Sequence, residues 1–366
     1  MDKDILGKAV SQKVKDNIAK YTATLTVKPG LAVIQIGEDA ASDIYINQKR
    51  KAAKEVGITF KHFKFTEDDN EETIIDKINE LNNNEYVFGI IVQLPIPRKF
   101  NKNRIINTIS PDKDVDGLTA VNLGKLVTKD DGFVSCTPAG IMYLLNEYDI
   151  DVSKKHVVII GRSELVGKPL MNLMLNNDAT VTICHSKTVN MDTITKTADI
   201  LIVATGKPKL IKANIIKDSA IIIDVGINRV NGKIIGDVDY DDVYEKVSYI
   251  TPVPGGVGPM TVSMLLNNVM ISHKKANRVF TRHNTTNDST ITLSNGKKYY
   301  LTDKLSLDGK TYFYLLDKET KTDVKFCEYD AVNNKLLLVN DNDINAKLAF
   351  MIFEKYVKWG YYEVNW

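Results

Sequence analysis

Apolar residues in the first 270 positions come in short runs, most of them continuous rather than alternating: LAVIQIG (31–37), VFGIIVQL (87–94), HVVIIG (156–161), ATVTIC (179–184), DILIVATG (199–206) and AIIIDVG (220–226). A strand with one face in water alternates apolar and polar positions, whereas a strand covered on both faces stays apolar throughout. The runs therefore predict buried, mostly parallel strands. Segments of helical periodicity fit between them, so the fold class is α/β. SCTPAGIMYLLNEYDI (135–150) predicts a helix joining two α/β lobes, with Thr137 as N-cap and Pro138 at the first helical position.

The texture changes after residue 272. SHKKANRVFTRHNTTNDST (272–290) is polar and weakly periodic, and from 275 onward it predicts a linker. Beyond it, ITLSNGKKYYLT, TYFYLLD and KLLLVND predict short strands separated by SNG, LDG and VNN turns. INAKLAFMIFEKYV (344–357) predicts a mainly apolar helix, which makes 291–366 a small α+β appendage.

Composition narrows the function classes. A chain of 366 residues is expected to hold two or three domains. Its net charge of +2 gives no reason to expect a nucleic-acid or membrane partner. The N-terminus lacks an apolar signal core, and no apolar run approaches the roughly 20 residues of a membrane span. Cys136, Cys184 and Cys327 lie far apart and form neither a disulfide framework nor a zinc pattern, and the histidines are scattered too. A soluble cytoplasmic protein without a metal site is the expectation.

The segment ASDIYINQKRKAAKEVGI (41–58) carries four cations, Lys49, Arg50, Lys51 and Lys54. On a helix, with Ser42 at zero, Tyr45 falls at about 300° and Lys49 at about 340°. Ile46, Ala52, Ala53 and Val56 surround that sector, while Lys51 and Lys54 lie opposite and Arg50 on the flank. Lys49 thus projects from the apolar side, where lysine is uncommon. Two readings fit: a lysine snorkelling over apolar surface, or a partly desolvated, lowered-pKa lysine poised for proton transfer.

HVVIIGRSELVGKPLMNLML (156–175) is a strand, a glycine-bounded turn and a helix. Gly161 permits the tight exit, Gly167 permits close approach of the helix, and the helix start offers N–H groups to an anion. NAD sites usually place an acidic residue at the end of the next strand. Here that place reads ICHSKT (183–188), where Arg162, Ser186 and Lys187 can surround a 2′-phosphate, which favours NADP. His185 is expected to play a structural or adenine-side part rather than that of a base. ATGKP (204–208) and DVGIN (224–228) end strands on the same edge.

Three further loops stand out. VQLPIP (92–97) is a stiff turn that fixes Gln93. SPDKDVDGLTAVNLG (110–124) presents Asp112, Asp114 and Asp116; it lacks the remaining ligands of a calcium loop, which leaves a solvated acidic loop or one aspartate bonding an N–H-rich heterocycle. TPVPGGVGPMTVSMLL (251–266) is rigid and apolar, suited to wrapping a cleft.

In order along residues 1–274, these motifs resemble the bifunctional methylenetetrahydrofolate dehydrogenase/methenyltetrahydrofolate cyclohydrolase family. The match rests on GEDAASDIYINQKRKAAKEVGI, VQLPIP, DKDVDGL, CTPAGI, GRSELVGKPL, CHSKT, ATGKP, DVGIN and PVPGGVGPMT. The resemblance implies an N-terminal folate-binding lobe (1–136), a Rossmann-like NADP-binding lobe (137–257) and a helix over 258–274 that packs back on the first lobe. It implies Lys49 as the catalytic lysine, Tyr45 as its partner and aromatic platform, Gln93 as its orienting amide, and Asp116 as the pterin-binding carboxylate. It further implies NADP contacts from Gly161, Arg162, Ser163, Ser186 and Ile227, and a folate-closing loop with Pro254, Gly255 and Gly256. Tetrahydrofolate derivatives are the implied substrates and a homodimer the implied assembly.

The tail lacks a GxxxxGK[ST] loop and is too short for the formate ligase sometimes fused to this family. Residues 291–357 resemble a short uncharacterised bacterial domain. A shikimate-type NADP dehydrogenase does not account for DKDVDGL and PVPGGVGPMT. A folate- or nucleotide-sensing regulator with the tail as output has no need of Tyr45, Lys49, Gln93 and Asp116 together.

Overall fold

The computed structural model describes residues 3–25, 27–283, 290–292, 298–308, 310–317, 324–330, 335–341, 343–345 and 347–348. The chain divides into two compact units between Ser272 and His273.

The first unit begins with α1 (Gly7–Ala23), β1 (Gly30–Ile36), α2 (Ala40–Glu55), β2 (Thr59–Phe65), α3 (Glu71–Asn82), β3 (Val87–Val92), α4 (Lys102–Asn107) and α5 (Ala120–Thr128). The strands form a parallel sheet in the order β2-β1-β3. β1 and β3 are buried along their whole length, as their unbroken apolar sequences require. Ile34, Ile74, Ile78, Ile90 and Ile105, all without exposed surface, fill the space between sheet and helices. β2, TFKHFKF, is an edge strand with exposed and half-buried positions, and its sequence accordingly lacks an unbroken apolar run.

α6 (Cys136–Glu147) leads into the second lobe. Its N-cap is Ser135, two residues before the predicted Thr137. The Ser135 hydroxyl donates to the Leu165 carbonyl at 2.7 Å, and the Thr137 hydroxyl lies 2.9 Å from that of Thr261, so neither caps the helix with its side chain.

The second lobe runs through β4 (His156–Ile160), α7 (Gly167–Asn176), β5 (Thr180–Cys184), α8 (Met191–Thr195), β6 (Ile200–Val203), β7 (Ile221–Asp224), β8 (Asn228–Val230), β9 (Lys233–Ile235), α9 (Tyr240–Val243) and β10 (Tyr249–Ile250). Five strands form a wholly parallel sheet in the order β10-β7-β6-β4-β5. The order reverses between β4 and β6, and the crevice beyond the strand ends at such a switch point is where α/β sheets bind ligands. The start of the chain also joins this sheet: the Ile5 amide donates to the Ile250 carbonyl at 2.8 Å, and the Ile250 amide to the Lys3 carbonyl at 2.9 Å. Residues 3–5 therefore pair with the second lobe, although they fall within the 1–136 span assigned to the first.

α10 (Val257–His283) returns to the first lobe. Asn268 Nδ2 donates to the Val115 carbonyl and Ser272 Oγ to the Asp112 carbonyl, each at 2.8 Å. Gly89 on β3 leaves room for Val269; a Cβ there would lie 2.9 Å from its methyl group. The helix continues to His283, so residues 275–283, predicted as linker, are helical. Their run of Lys, Ala, Asn and Arg extends a helix without penalty from Gly or Pro.

The second unit contains an antiparallel meander, β11 (Thr290–Thr292), β12 (Lys298–Leu307), β13 (Lys310–Asp317), β14 (Val324–Asp330) and β15 (Lys335–Leu338), in sequential order. Tyr299, Tyr312, Tyr314, Leu315, Phe326 and Cys327 are buried, with Tyr314 opposite Phe326 in register. Residues 343–345 and 347–348 are helical; the rest of the predicted 344–357 helix and the SNG and VNN turns lie outside the described residues.

Candidate active site

α2 is set by its first turn, where the Asp39 carboxylate accepts from the Ser42 amide and hydroxyl, each at 2.7 Å. Those bonds hold the Asp39 carboxyl below the usual carboxylate range. From that start the helix buries Ser42, Ile46, Ala53 and Val56, and half-buried Lys49 falls in the same stripe. Arg50, Lys51 and Lys54 are exposed. Tyr45, placed beside Lys49 by angle, sits at the flank of the stripe with 44% of its surface open.

Lys49 Nζ donates to Gln93 Oε1 at 2.8 Å. Gln93 follows β3, its amide held by the Ile34 carbonyl at 2.8 Å. Its side-chain Nε2 donates to the Leu94 carbonyl at 2.9 Å, which turns Oε1 toward the lysine. A helix and a strand end, 44 residues apart, thus fix one ammonium group.

The three aspartates separate by role. Asp112 is exposed. Asp114 is buried and accepts from the Leu118 and Thr119 amides at 3.1 and 2.8 Å and from Asn122 Nδ2 at 2.9 Å, so it organises the loop. Asp116 keeps part of its surface open, yet the packing around its carboxyl is dense. Burial raises its pKa above the usual range, and the Lys49 charge pulls it back down. The buried Cys136 thiol is within hydrogen-bonding reach of Asp116, and burial, reinforced by that neighbouring charge, pushes the thiol well up.

At the edge of the second sheet two glycines shape the first loop. Gly161 has φ +139°, and a Cβ there would lie 2.5 Å from the Ala204 carbonyl oxygen. At Gly167 a Cβ would lie 2.2 Å from the Gly161 carbonyl oxygen. Lacking side chains, both glycines let the turn before α7 pack backbone against backbone. Arg162 and Ser163 on this loop, and Ser186 and Lys187 after the adjoining β5, are exposed, and the loop's one carboxylate, Glu164, is paired with Lys102 at 2.9 Å. That donor set fits a phosphorylated dinucleotide. His185 Nδ1 accepts from the Lys187 amide at 3.1 Å, so this histidine shapes its own turn.

Two cavities join predicted residues from both lobes. A groove of about 850 Å³ has Tyr45 on one wall and Ile227, Arg229 and Gly258 on another. A second space of about 610 Å³ sets Leu94 and Leu118 against Arg162 and Ser163. The PVPGG loop is fixed at the chain's start: Gly255 accepts from the Lys8 amide at 3.0 Å, and a Cβ on Gly7 would lie 1.9 Å from the Gly256 oxygen. Pro254 is exposed.

Two buried acids on the cofactor-side loops were not singled out from sequence. Asp224 ends β7, and Asp237 follows β9. Burial pushes the Asp224 carboxyl up to about 6, helped by the Asp237 charge and opposed by amide donors from Val238, Asp237 and Gly226. Among the described residues, no group of three or more His, Cys, Asp or Glu is arranged to hold a metal, and no helix is long and apolar enough to cross a membrane.

A wholly parallel sheet with a glycine turn at its switch point, beside a first lobe in which Gln93 fixes Lys49, is the architecture of a two-lobed dinucleotide-dependent oxidoreductase. The catalytic-domain model of tetrahydrofolate dehydrogenase/cyclohydrolase matches residues 5–116, and the NAD(P)-binding-domain model of the same family matches 135–277. The bifunctional protein FolD of Campylobacter hominis is 53% identical over 272 residues, covering 73% of this chain and 96% of that one. The crystal structure of FolD from Campylobacter jejuni superposes with a TM-score of 0.73 at 43% identity, covering 74% of this chain and 98% of that one. The Trypanosoma brucei enzyme, complexed with NADP and an inhibitor, gives a TM-score of 0.71 at 35% identity, covering 75% and 98%. The chain belongs to the tetrahydrofolate dehydrogenase/cyclohydrolase family and is a bifunctional enzyme of that type.

Proposed function

We propose that the cleft between the lobes oxidises 5,10-methylenetetrahydrofolate with NADP and then hydrolyses the 5,10-methenyl product to 10-formyltetrahydrofolate. The observation that carries this reading is the half-buried Lys49 donating to Gln93 at 2.8 Å. When bound, NADP takes the hydride from the one-carbon bridge of the folate. Asp116 accepts from the N–H groups of the pterin, and Tyr45 supports the aminobenzoyl ring. Gln93 holds the Lys49 amine beside the one-carbon unit, where the amine takes a proton from the attacking water and returns it on ring opening. An amine can cycle between its two protonation states; a guanidinium cannot.

Gly161, Arg162, Ser163, Ser186 and Ile227 are the proposed cofactor contacts, and Pro254, Gly255 and Gly256 close on the folate. The cofactor lobe is read as 137–257, with 291–366 as an accessory domain. The same reading makes the enzyme a cytoplasmic homodimer without a nucleic-acid partner. The test is an absorbance assay with methylenetetrahydrofolate that follows NADPH formation and then methenyl decay, repeated with NAD. Absence of turnover with either nucleotide, or a Lys49→Ala enzyme that hydrolyses the methenyl substrate at the wild-type rate, would overturn it.

A further inference from the structure

Asp237 and Asp224 sit in one another's loops. Asp237 Oδ2 accepts from the Thr205 amide at 2.6 Å, the Thr205 hydroxyl at 2.9 Å and the Gly206 amide at 2.9 Å. Its Oδ1 accepts from Asn228 Nδ2 at 2.8 Å. Asp224 Oδ1 accepts from the amides of Gly226 at 2.9 Å and Asp237 at 3.0 Å, and its Oδ2 from the Val238 amide at 2.9 Å. Both side chains are almost wholly removed from solvent. The nest closes because two neighbours lack side chains: a Cβ on Gly226 would lie 2.2 Å from Asp237 Cγ, and one on Gly236 would lie 1.9 Å from Asp224 Oδ2.

The partners belong to four segments at the edge of the second sheet. Thr205 and Gly206 follow β6, Gly226 and Asn228 follow β7, Asp237 and Val238 follow β9, and the Thr251 hydroxyl that receives the Asp224 amide at 2.7 Å opens the PVPGG loop. Burying two carboxylates side by side is costly, and hydrophobic replacements usually stabilise a core better. Here every carboxylate oxygen meets at least one donor, and together the bonds tie these segments to one another.

We propose that Asp237 and Asp224 are positioning residues for the dehydrogenase step, holding the loops after β6 and β7 at the spacing that seats the nicotinamide half of NADP. The inference rests on the function proposed above. An isosteric amide fits these acids' places poorly. An asparagine at 237 would either turn its NH2 toward the Thr205–Gly206 donors, or turn it toward Asn228, whose own amide must then flip and give up its bond to the Ile235 carbonyl. The loops would then shift, whereas Lys49, Gln93 and Asp116 stand on other elements.

The test compares NADP-dependent oxidation of methylenetetrahydrofolate with hydrolysis of supplied methenyltetrahydrofolate in the absence of nucleotide. In Asp237→Asn the ratio of the first rate to the second is expected to fall about tenfold or more, through a higher KM for NADP and a lower dehydrogenase kcat. Asn228→Ala removes one donor at a half-buried position and is expected to lower the ratio about two- to fivefold in a folded enzyme. A folded Asp237→Asn whose two activities fall in parallel, or stay at wild type, would overturn the inference. Should Asp237→Asn not fold, an unchanged ratio in Asn228→Ala would do so. A wild-type enzyme without NADP-dependent turnover would instead sink the function on which the inference rests.

Discussion

The two lobes build their halves of the cleft from different materials. In the first, the proposed functional groups are side chains held from regular elements or a bonded loop: Lys49 on α2, Gln93 just after β3, Asp116 in a loop organised by Asp114. In the second, the cleft wall is backbone, given its shape by missing side chains at Gly161 and Gly167 and held by the buried Asp224 and Asp237. Proton transfer needs a group of definite basicity in a fixed place, which a rigid helix supplies. A dinucleotide needs close approach along an extended surface, which glycine loops supply. Damage to the first lobe should therefore strike hydrolysis, and damage to the second should strike oxidation.

The largest expected effect breaks the first half of that contrast. Lys49→Arg keeps the charge but not the ability to cycle, so methenyl hydrolysis should fall by about 10²–10⁴-fold, while hydride transfer falls less. Equal losses in the two assays would mean that the lysine serves binding rather than proton transfer. The second half is tested by Gly167→Ala, whose new methyl would lie 2.2 Å from the Gly161 oxygen and must displace backbone. The KM for NADP should rise about tenfold or more, with hydrolysis of supplied methenyltetrahydrofolate much less affected.

A pH-dependent effect sharpens the contrast. Asp224 is raised to about 6 in the fold, against 3.8 for the free side chain. The folded state then binds the extra proton between those values, so stability falls as pH rises from about 4 to 6. Against Asp224→Asn, which does not titrate, wild-type stability should decline by up to about 3 kcal/mol across that window in denaturant titrations. A wild-type advantage that grows with pH would mean that the three amide donors outweigh burial. The smallest expected effect is at the rim. Lys102 and Glu164 pair at 2.9 Å across the smaller cavity, but both are largely exposed. Lys102→Ala should change stability by about 0.5 kcal/mol or less.

Much of this was legible in residues 1–272, for a physical reason. Strands buried on both faces are mostly apolar, and β1, β3, β4, β6 and β7 read as such runs; β5, TVTIC, lies at the sheet edge and is only partly buried. β2 does not read as one, because an edge strand half in water can be written TFKHFKF. The helical angle of Lys49 placed it in the stripe of Ser42, Ile46, Ala53 and Val56, since burial on a helix follows its period. The same angle put Tyr45 too far inward, because stripe edges are set by the neighbouring elements and not by the helix alone. Asp224 and Asp237 left no local signal: 13 residues and a hairpin separate them, and DVGIN reads equally well as a glycine turn. The start of α6 was misplaced because Ser135 and Thr137 both look like caps, and tertiary partners claim both hydroxyls.

The pairing of residues 3–5 with β10 has a consequence for any change made at the start of the chain. Residues 3–5 are stitched to β10, α1 then crosses to the first lobe, α6 carries the chain back, and the Thr251–Gly256 segment returns it to α10. Two bodies tied at three separate places cannot swing like a door on one hinge; they can only flex as a braced frame. Deleting residues 1–5, far from Lys49 in sequence, would remove one brace, and the slackening should be felt first by the nucleotide, whose sheet loses its outermost partner.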